Sequence, residues 1–295
     1  MGTLTYRSAV LIVCARSLGF SQNEQVPEPR VPQPLYQVTI VSRTTKALNY
    51  GYLTAPTRID FKGTPVLAGA TGEAVVEPKR GSTVLKMRFK DVPPPTKFGA
   101  QYLTYVVWAI SPEGRAQNLG ELDLDGSNKG KLTSSTPLQA FAMIVTAEPY
   151  YSVTQPSDIV VMENFVGPGT VGKVQEVNAT YELLPRKPYT FDMSAQPKAG
   201  DRAVGKEEYE ATVALYQALN AIQIATSQQG DKYAPDQMAR ARAAYNKARG
   251  YPISLSKEIV SLAREATQIA EDGRSIAARR ALMEKAAGET RARTP

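Results

Sequence analysis

The sequence predicts an antiparallel β-sandwich followed by an all-α helical hairpin or three-helix bundle. Three observations carry this. Between residues 35 and 184 apolar and polar residues alternate in short runs, with turn signals every ~8–12 residues and no helical stretch between them. From residue 206 the period changes to alternating steps of three and four. Two proline-rich stretches, 22–34 and 185–205, read as linkers and mark the divisions. A chain of 295 residues with 42% hydrophobic residues can build two folded parts at ~100–200 residues each.

The N-terminus carries Arg7, an apolar run from Ala9 to Ala15, and the small-x-small pattern Gly19-Phe20-Ser21. That order predicts a signal peptide over 1–21, whose removal leaves no cysteine, because Cys14 is the only one. Acylation of Cys14 is the alternative, but it wants a small residue just before the cysteine and Val13 stands there. Pro27, Pro29, Pro32 and Pro34 keep 22–34 out of a central strand.

The β-part spans 35–184. Tyr36 to Val41 alternates, as does Thr83 to Phe89, where Leu85, Met87 and Phe89 face inward while Lys86, Arg88 and Lys90 mark a wet face. Tyr102 to Ile110 is almost wholly apolar or aromatic, which places it centrally in a sheet with Trp108 in the core. Further strands are expected at 57–61, 72–78, 118–124, 130–135, 140–147, 158–163 and 175–183. Helices are expected near 206–228, from Pro235 to Gly250, and along Ile259, Leu262, Ala266, Ile269, Gly273 and Ile276, then Arg280 and Met283, a stripe from Ile259 to Met283 expected in the core. Arg280 interrupts that last heptad seam, so the helical part is bounded at 206–287 with a disordered tail over 288–295. The seam also offers a surface on which a second copy could pair.

No histidine occurs, which removes Ser-His-Asp and Cys-His catalysis and His-type zinc sites. Gly167 to Lys173 mimics a phosphate-binding loop, but Val174 replaces the required Ser or Thr, Pro168 removes an amide, and a strand follows. Asp123 to Asn128 mimics the start of a calcium loop, yet Asp125-Gly126 between alternating runs is a hairpin signal. Asp60, Glu73, Glu77, Glu121 and Asp123 lie on the β-part without the setting of a glycosidase pair. Ser82, Ser134 and Ser135 have no lysine at a diagnostic spacing. The net charge of +7 is scattered rather than gathered into a stripe, so no nucleic-acid partner is expected. No catalytic, cofactor or metal residues are assigned. The aromatic pairs Tyr50/Tyr52 and Tyr150/Tyr151 are the candidate binding residues, since loop tyrosines stack on sugar faces or anchor protein contacts; plugging the ends of the sandwich is their structural alternative. No segment reaches the ~20 apolar residues a membrane-spanning helix requires.

Several motifs also carry a resemblance. Arg43-Thr44-Thr45-Lys46-Ala47, Arg58-Ile59-Asp60-Phe61, Tyr102 to Gly114, Asn118-Leu119-Gly120-Glu121 and Gln139-Ala140-Phe141 are similar to the N-terminal part of acidobacterial-type OmpA-family envelope proteins. Thr146 to Tyr150, Gln155 to Asp158 and Met162 to Asn164 fit the same pattern. Residues 72–163 also resemble the extracytoplasmic β-sandwich of anti-sigma-K factors around Trp108, and 206–283 resembles the helical domain that follows in the envelope proteins. In that family an OmpA-like peptidoglycan-binding domain follows the helices, and this chain stops at Pro295 without it. The resemblance implies a periplasmic or outer-membrane-associated, non-enzymatic protein. Its β-sandwich would dock an envelope protein, and its helices would act as spacer or assembly element. Binding of cell-wall glycan or another polysaccharide through the tyrosines is the alternative.

Overall fold

The computed structural model describes residues 40–51, 53, 55–166, 170, 173–182 and 205–293. Eleven strands come first: β1 (Ile40–Asn49), β2 (Thr57–Gly63), β3 (Thr71–Lys79), β4 (Ser82–Lys90), β5 (Thr104–Ile110), β6 (Ala116–Glu121), β7 (Asp123–Leu124), β8 (Gly130–Thr136), β9 (Ala140–Glu148), β10 (Val160–Phe165) and β11 (Lys173–Glu182). Four α-helices follow among the described residues: α1 (Lys206–Ser227), α2 (Gly230–Tyr233), α3 (Pro235–Arg249) and α4 (Ser256–Arg293). The predicted strands after the first, and the first two long helices, are found within a few residues of their expected places, whereas β1 runs past the expected end at Val41 to Asn49 and α4 runs on to Arg293. Residues 36–39 of the first expected strand lie outside the described residues, as do 1–35 and the proposed linker up to residue 204. The short α2 was not expected, and 288–293, expected as a disordered tail, continue α4 as helix.

All strand pairs are antiparallel. The path runs β11-β1-β9-β10-β2-β3-β4-β8-β7, with β5 on β9 and β6 on β5. The sheet curls until it is nearly closed and barrel-like. The closing segment is β6 with β7: β6 pairs with β5, while Asp123 and Leu124 pair with Lys131 and Gly130 of β8. Side chains add to the closure, with the Ser134 hydroxyl donating to the Leu119 carbonyl at 2.5 Å and the Thr136 hydroxyl to Gln117 Oε1 at 2.6 Å. A register shift beside Val107 and Trp108 lets β6 turn from one partner to the other. Gly120 sits there at φ +132°, a conformation closed to a residue with a Cβ.

Strand β5 is buried at every position and β9 at all but its first, because both faces are covered. Tyr105, Val107, Ala109, Phe141, Met143, Val145 and Ala147 point into the curl. There they meet Leu48, Ile59, Phe61, Leu85, Met87 and Phe89, with Phe61 and Phe89 edge to face at 5.0 Å. Lys86, Arg88 and Lys90 point to water as expected. Val106, Trp108, Ile110, Ala142 and Ile144 point the other way, into a cluster with Ala221, Ile222, Ile224, Ala225, Met238, Ala241, Ile269 and Ala270 of the helices. The helices themselves meet along small residues, Ala214, Ala218, Ala248, Ala263 and Ala266, which allow close approach. The heptad residues Ile259, Ala266 and Ile269 are buried as the stripe predicts, and Gly273 leaves room for Met238. Beyond Ala277, α4 leaves the core, and Leu282 and Met283 are 66% and 70% exposed. Among the described residues no helix is long and apolar enough to cross a membrane.

Because Ile144 belongs to the cluster shared by sheet and helices, Ile144→Ala should cost about 2–5 kcal/mol through the cavity it leaves. In denaturant titrations Trp108 fluorescence and helical circular dichroism should shift together to a lower midpoint. Helical signal persisting past the loss of Trp108 signal would contradict a shared core.

Candidate functional site at the sheet–helix junction

The densest polar chemistry lies where the segment after β9, residues 149–157, meets α1 and α4. Glu271 of α4 is fully buried, and its carboxylate is saturated. It accepts from the Tyr150 hydroxyl at 2.7 Å, the Thr154 backbone N–H at 2.9 Å, the Thr154 hydroxyl, and Arg274 Nε and Nη2 at 2.7 and 2.8 Å. Arg274, one helical turn on, also donates to the Thr154 hydroxyl at 2.8 Å and to Gln228 Oε1 at 3.1 Å. Burial works to lower the Arg274 pKa, but the Glu271 charge and hydrogen bonds outweigh it and hold the guanidinium above its ordinary range. The guanidinium therefore keeps its charge at any ordinary pH, and direct contact with Glu271 gives the buried pair the compensation it needs to hold.

A second tier surrounds this pair. Asn220 of α1 donates to the carbonyls of Pro149 at 3.2 Å and Gln101 at 3.1 Å. Gln217 accepts from the Tyr151 N–H at 2.9 Å and donates to Glu121 Oε1 at 2.7 Å. Asn118 of β6 donates to the carbonyls of Tyr151 and Val153 at 2.9 and 2.8 Å, and accepts from the Gly120 N–H at 2.8 Å. The strand that closes the sheet and the segment that grips the helices are thus tied by one side chain.

Of the predicted binding tyrosines, Tyr150 and Tyr151 lie at this junction and Tyr50 does not. Tyr150 is fully buried, with desolvation and the Glu271 charge holding its phenol well above the ordinary range. Tyr151 is half-buried; its hydroxyl donates to the Arg264 carbonyl at 3.0 Å and the Arg264 guanidinium lies over its ring at 4.5 Å. Tyr50 is fully buried in the interior of the curled sheet against Phe141, ring centroids 4.7 Å apart. Tyr52 lies outside the described residues. Neither Tyr50 nor Tyr150 has a face open to a sugar, so the exposed-platform expectation is corrected for both: apolar rings next to buried strands gain more from packing than from water.

A neighbouring surface groove of about 440 Å³ shares Glu121 with the junction. Glu73, Lys86, Arg88, Asp123 and Lys131 line it from the outer face of β3, β4, β7 and β8. Its acids carry cations: Glu73 with Arg58 at 3.4 Å, Asp123 with Lys131 at 3.3 Å, and Glu121 with Arg264. Glu77 pairs with Lys79 beside it, and Asp60 stands opposite Glu73 across β2 and β3. Asp125 Oδ1 accepts from the Ser127 and Lys129 N–H groups at 2.8 and 3.0 Å, so the calcium-like run closes the β7–β8 hairpin. Residues 167–169 and 171–172 of the phosphate-loop mimic lie outside the described residues, and Lys173 opens a strand rather than a helix. Among the described residues no three His, Cys, Asp or Glu side chains gather as metal ligands.

Sequence reasoning missed Glu271, Arg274, Gln217 and Glu148. A faint signal existed for the first pair: an acid and an arginine three apart, hence neighbours on one helix face, within the span of the heptad stripe but off its positions. Compared with known proteins, the chain matches no protein-family model and no curated sequence.

The pair should behave as a unit. Arg274→Met leaves the Glu271 charge buried and should lower stability by about 3–5 kcal/mol. Adding Glu271→Gln to that variant, which removes the stranded charge and keeps an acceptor for Tyr150, should recover a large part. Chemical denaturation of the single and double variants checks this; equal losses in both would argue against a charge-based role.

Proposed function

We propose that this protein is a non-enzymatic cell-envelope structural or interaction protein, its β-part a docking module joined to a helical spacer. The observation that carries this reading is the joint itself. A spacer transmits position only if it cannot pivot on the module it serves, and here the apolar cluster and the hydrogen bonds of Tyr150 and Thr154 to the Glu271–Arg274 pair of α4 hold sheet and helices at the same place. Helix α4, with 38 residues, extends roughly 57 Å at 1.5 Å per residue. Its final turns lie outside the core and present Leu282 and Met283 to a partner. The envelope setting rests on the signal-peptide pattern over 1–21 and on the resemblance described above. The alternative, glycan binding through loop tyrosines, has less to stand on, since two of the four are enclosed by protein.

Fractionation of the native cells, with mass determination of the mature N-terminus, tests the setting. The expected result is a chain cleaved after Ser21 in the envelope fraction. A photo-crosslinking residue at position 283 should yield a defined adduct with an envelope protein. With that crosslinking residue kept at 283, Leu282→Glu should abolish the adduct while changing stability by no more than ~0.5 kcal/mol. An uncleaved chain in the cytosolic fraction, forming no adduct, would overturn the reading.

A further inference from the structure

The junction holds a second buried carboxyl that, unlike Glu271, has no cation. Glu148 ends β9 on the side that carries Thr146, and it is fully buried. Its Oε1 accepts from the Ser157 backbone N–H at 2.7 Å and from the Thr146 hydroxyl. Thr146 in turn accepts from Trp108 Nε1 at 2.7 Å. Oε2, equally buried, has no hydrogen-bond partner. The ionisable groups that act on Glu148 are anionic or neutral. Asp158 stands on the same segment, and Tyr150 is tied to Glu271 of α4. Of the junction's cations, Arg274 is committed to Glu271, Thr154 and Gln228, and Arg264 to Glu121 and the Tyr151 ring. A carboxylate so placed cannot be solvated or neutralised, so the group keeps its proton. Burial pushes its pKa up to about 8, against the pull of the hydrogen bonds from Ser157 and Thr146 and with a further push from Asp158.

We propose that Glu148 is a proton-operated latch on the 149–157 segment. With its proton, Glu148 receives the Ser157 N–H while the Ser157 hydroxyl donates to the Ala147 carbonyl at 2.7 Å, folding the segment back onto β9. From that position Tyr150, Tyr151 and Thr154 reach the helices. Loss of the proton leaves an uncompensated negative charge beneath the segment, which draws water in and loosens its hold on α1 and α4. The sign follows from linkage. The folded chain keeps this proton up to about pH 8, while an unfolded chain releases it at the ordinary 4.5. The contribution to stability is therefore complete below that ordinary value, declines above it, and is lost as pH passes about 8. The latch operates whatever the partner of the protein is.

Trp108 is the only tryptophan and is bonded to the same relay, so its fluorescence reports directly. On raising the pH from about 6 to 10, the native protein should show one fluorescence step centred near 8. Amide exchange across 149–157, corrected for intrinsic rates, should rise about tenfold over the same step. Glu148→Gln keeps the shape but cannot ionise, and should show neither change. A step that survives in the Gln variant, or no step in the native protein, overturns the proposal. If the variant does not fold, infrared spectroscopy of the native protein decides. A carbonyl band of an un-ionised carboxylic acid present at neutral pH and lost through pH 8 supports the latch, and absence of that band at neutral pH refutes it.

Discussion

Everything in this fold depends on two neighbouring strands, β5 and β9, being apolar on both sides. One face fills the interior of the curled sheet with Tyr105, Val107, Phe141 and Met143; the other presents Val106, Trp108, Ile110 and Ile144. That second face would be a sizeable apolar surface if left to water, and the helices cover it. The dependence is mutual. The helices meet one another mainly through alanines, which bury little area per residue, so the larger side chains of the sheet supply much of the apolar surface they pack on.

Apolar packing has no direction, and a seam of alanines slides easily. The polar contacts of 149–157 supply what the seam lacks. Glu271 and Arg274 meet Tyr150 and Thr154, while Asn220 and Gln217 of α1 meet the backbone at Pro149 and Tyr151. Each of these groups is satisfied in one registration and stranded in a shifted one. A buried polar network of this kind is costly when half-made, and this selects a single arrangement of the two layers. Asn118 extends the same constraint to the bulge in β6.

The strands were legible because a half-buried strand writes a period of two, and the run from Tyr102 to Ile110 betrayed burial on both faces by having no period at all. The same run carried the clue to the shared core. An antiparallel strand apolar throughout needs a second covering layer, and the helical stripe was the layer at hand. The stripe read as core from Ile259 to Met283 is core only as far as Ala277, with Met283 exposed, and its partner could not be named from periodicity. The junction was not legible, since Glu271, Arg274 and Tyr150 lie more than a hundred positions apart in part and nothing local links them. Tyr50 and Tyr150 misled for a related reason: a tyrosine after a strand looks the same in sequence whether its ring turns to water or to the core. The end of α4 was also misjudged, because exposed alanine-rich turns hold helical structure by propensity alone once the helix is nucleated.

The way residues 116–124 bridge β5 and β8 has a consequence for solubility. A sheet border with free N–H and C=O groups is a template on which other chains can add strands and aggregate. By lending one end to β5 and the other to the start of β8, this single stretch covers the border of those two strands, while β11 stays at the sheet's edge, paired among the described residues with β1 alone. The curl therefore shields these two borders as well as enclosing the interior, and the turn that allows it falls at the glycine at position 120.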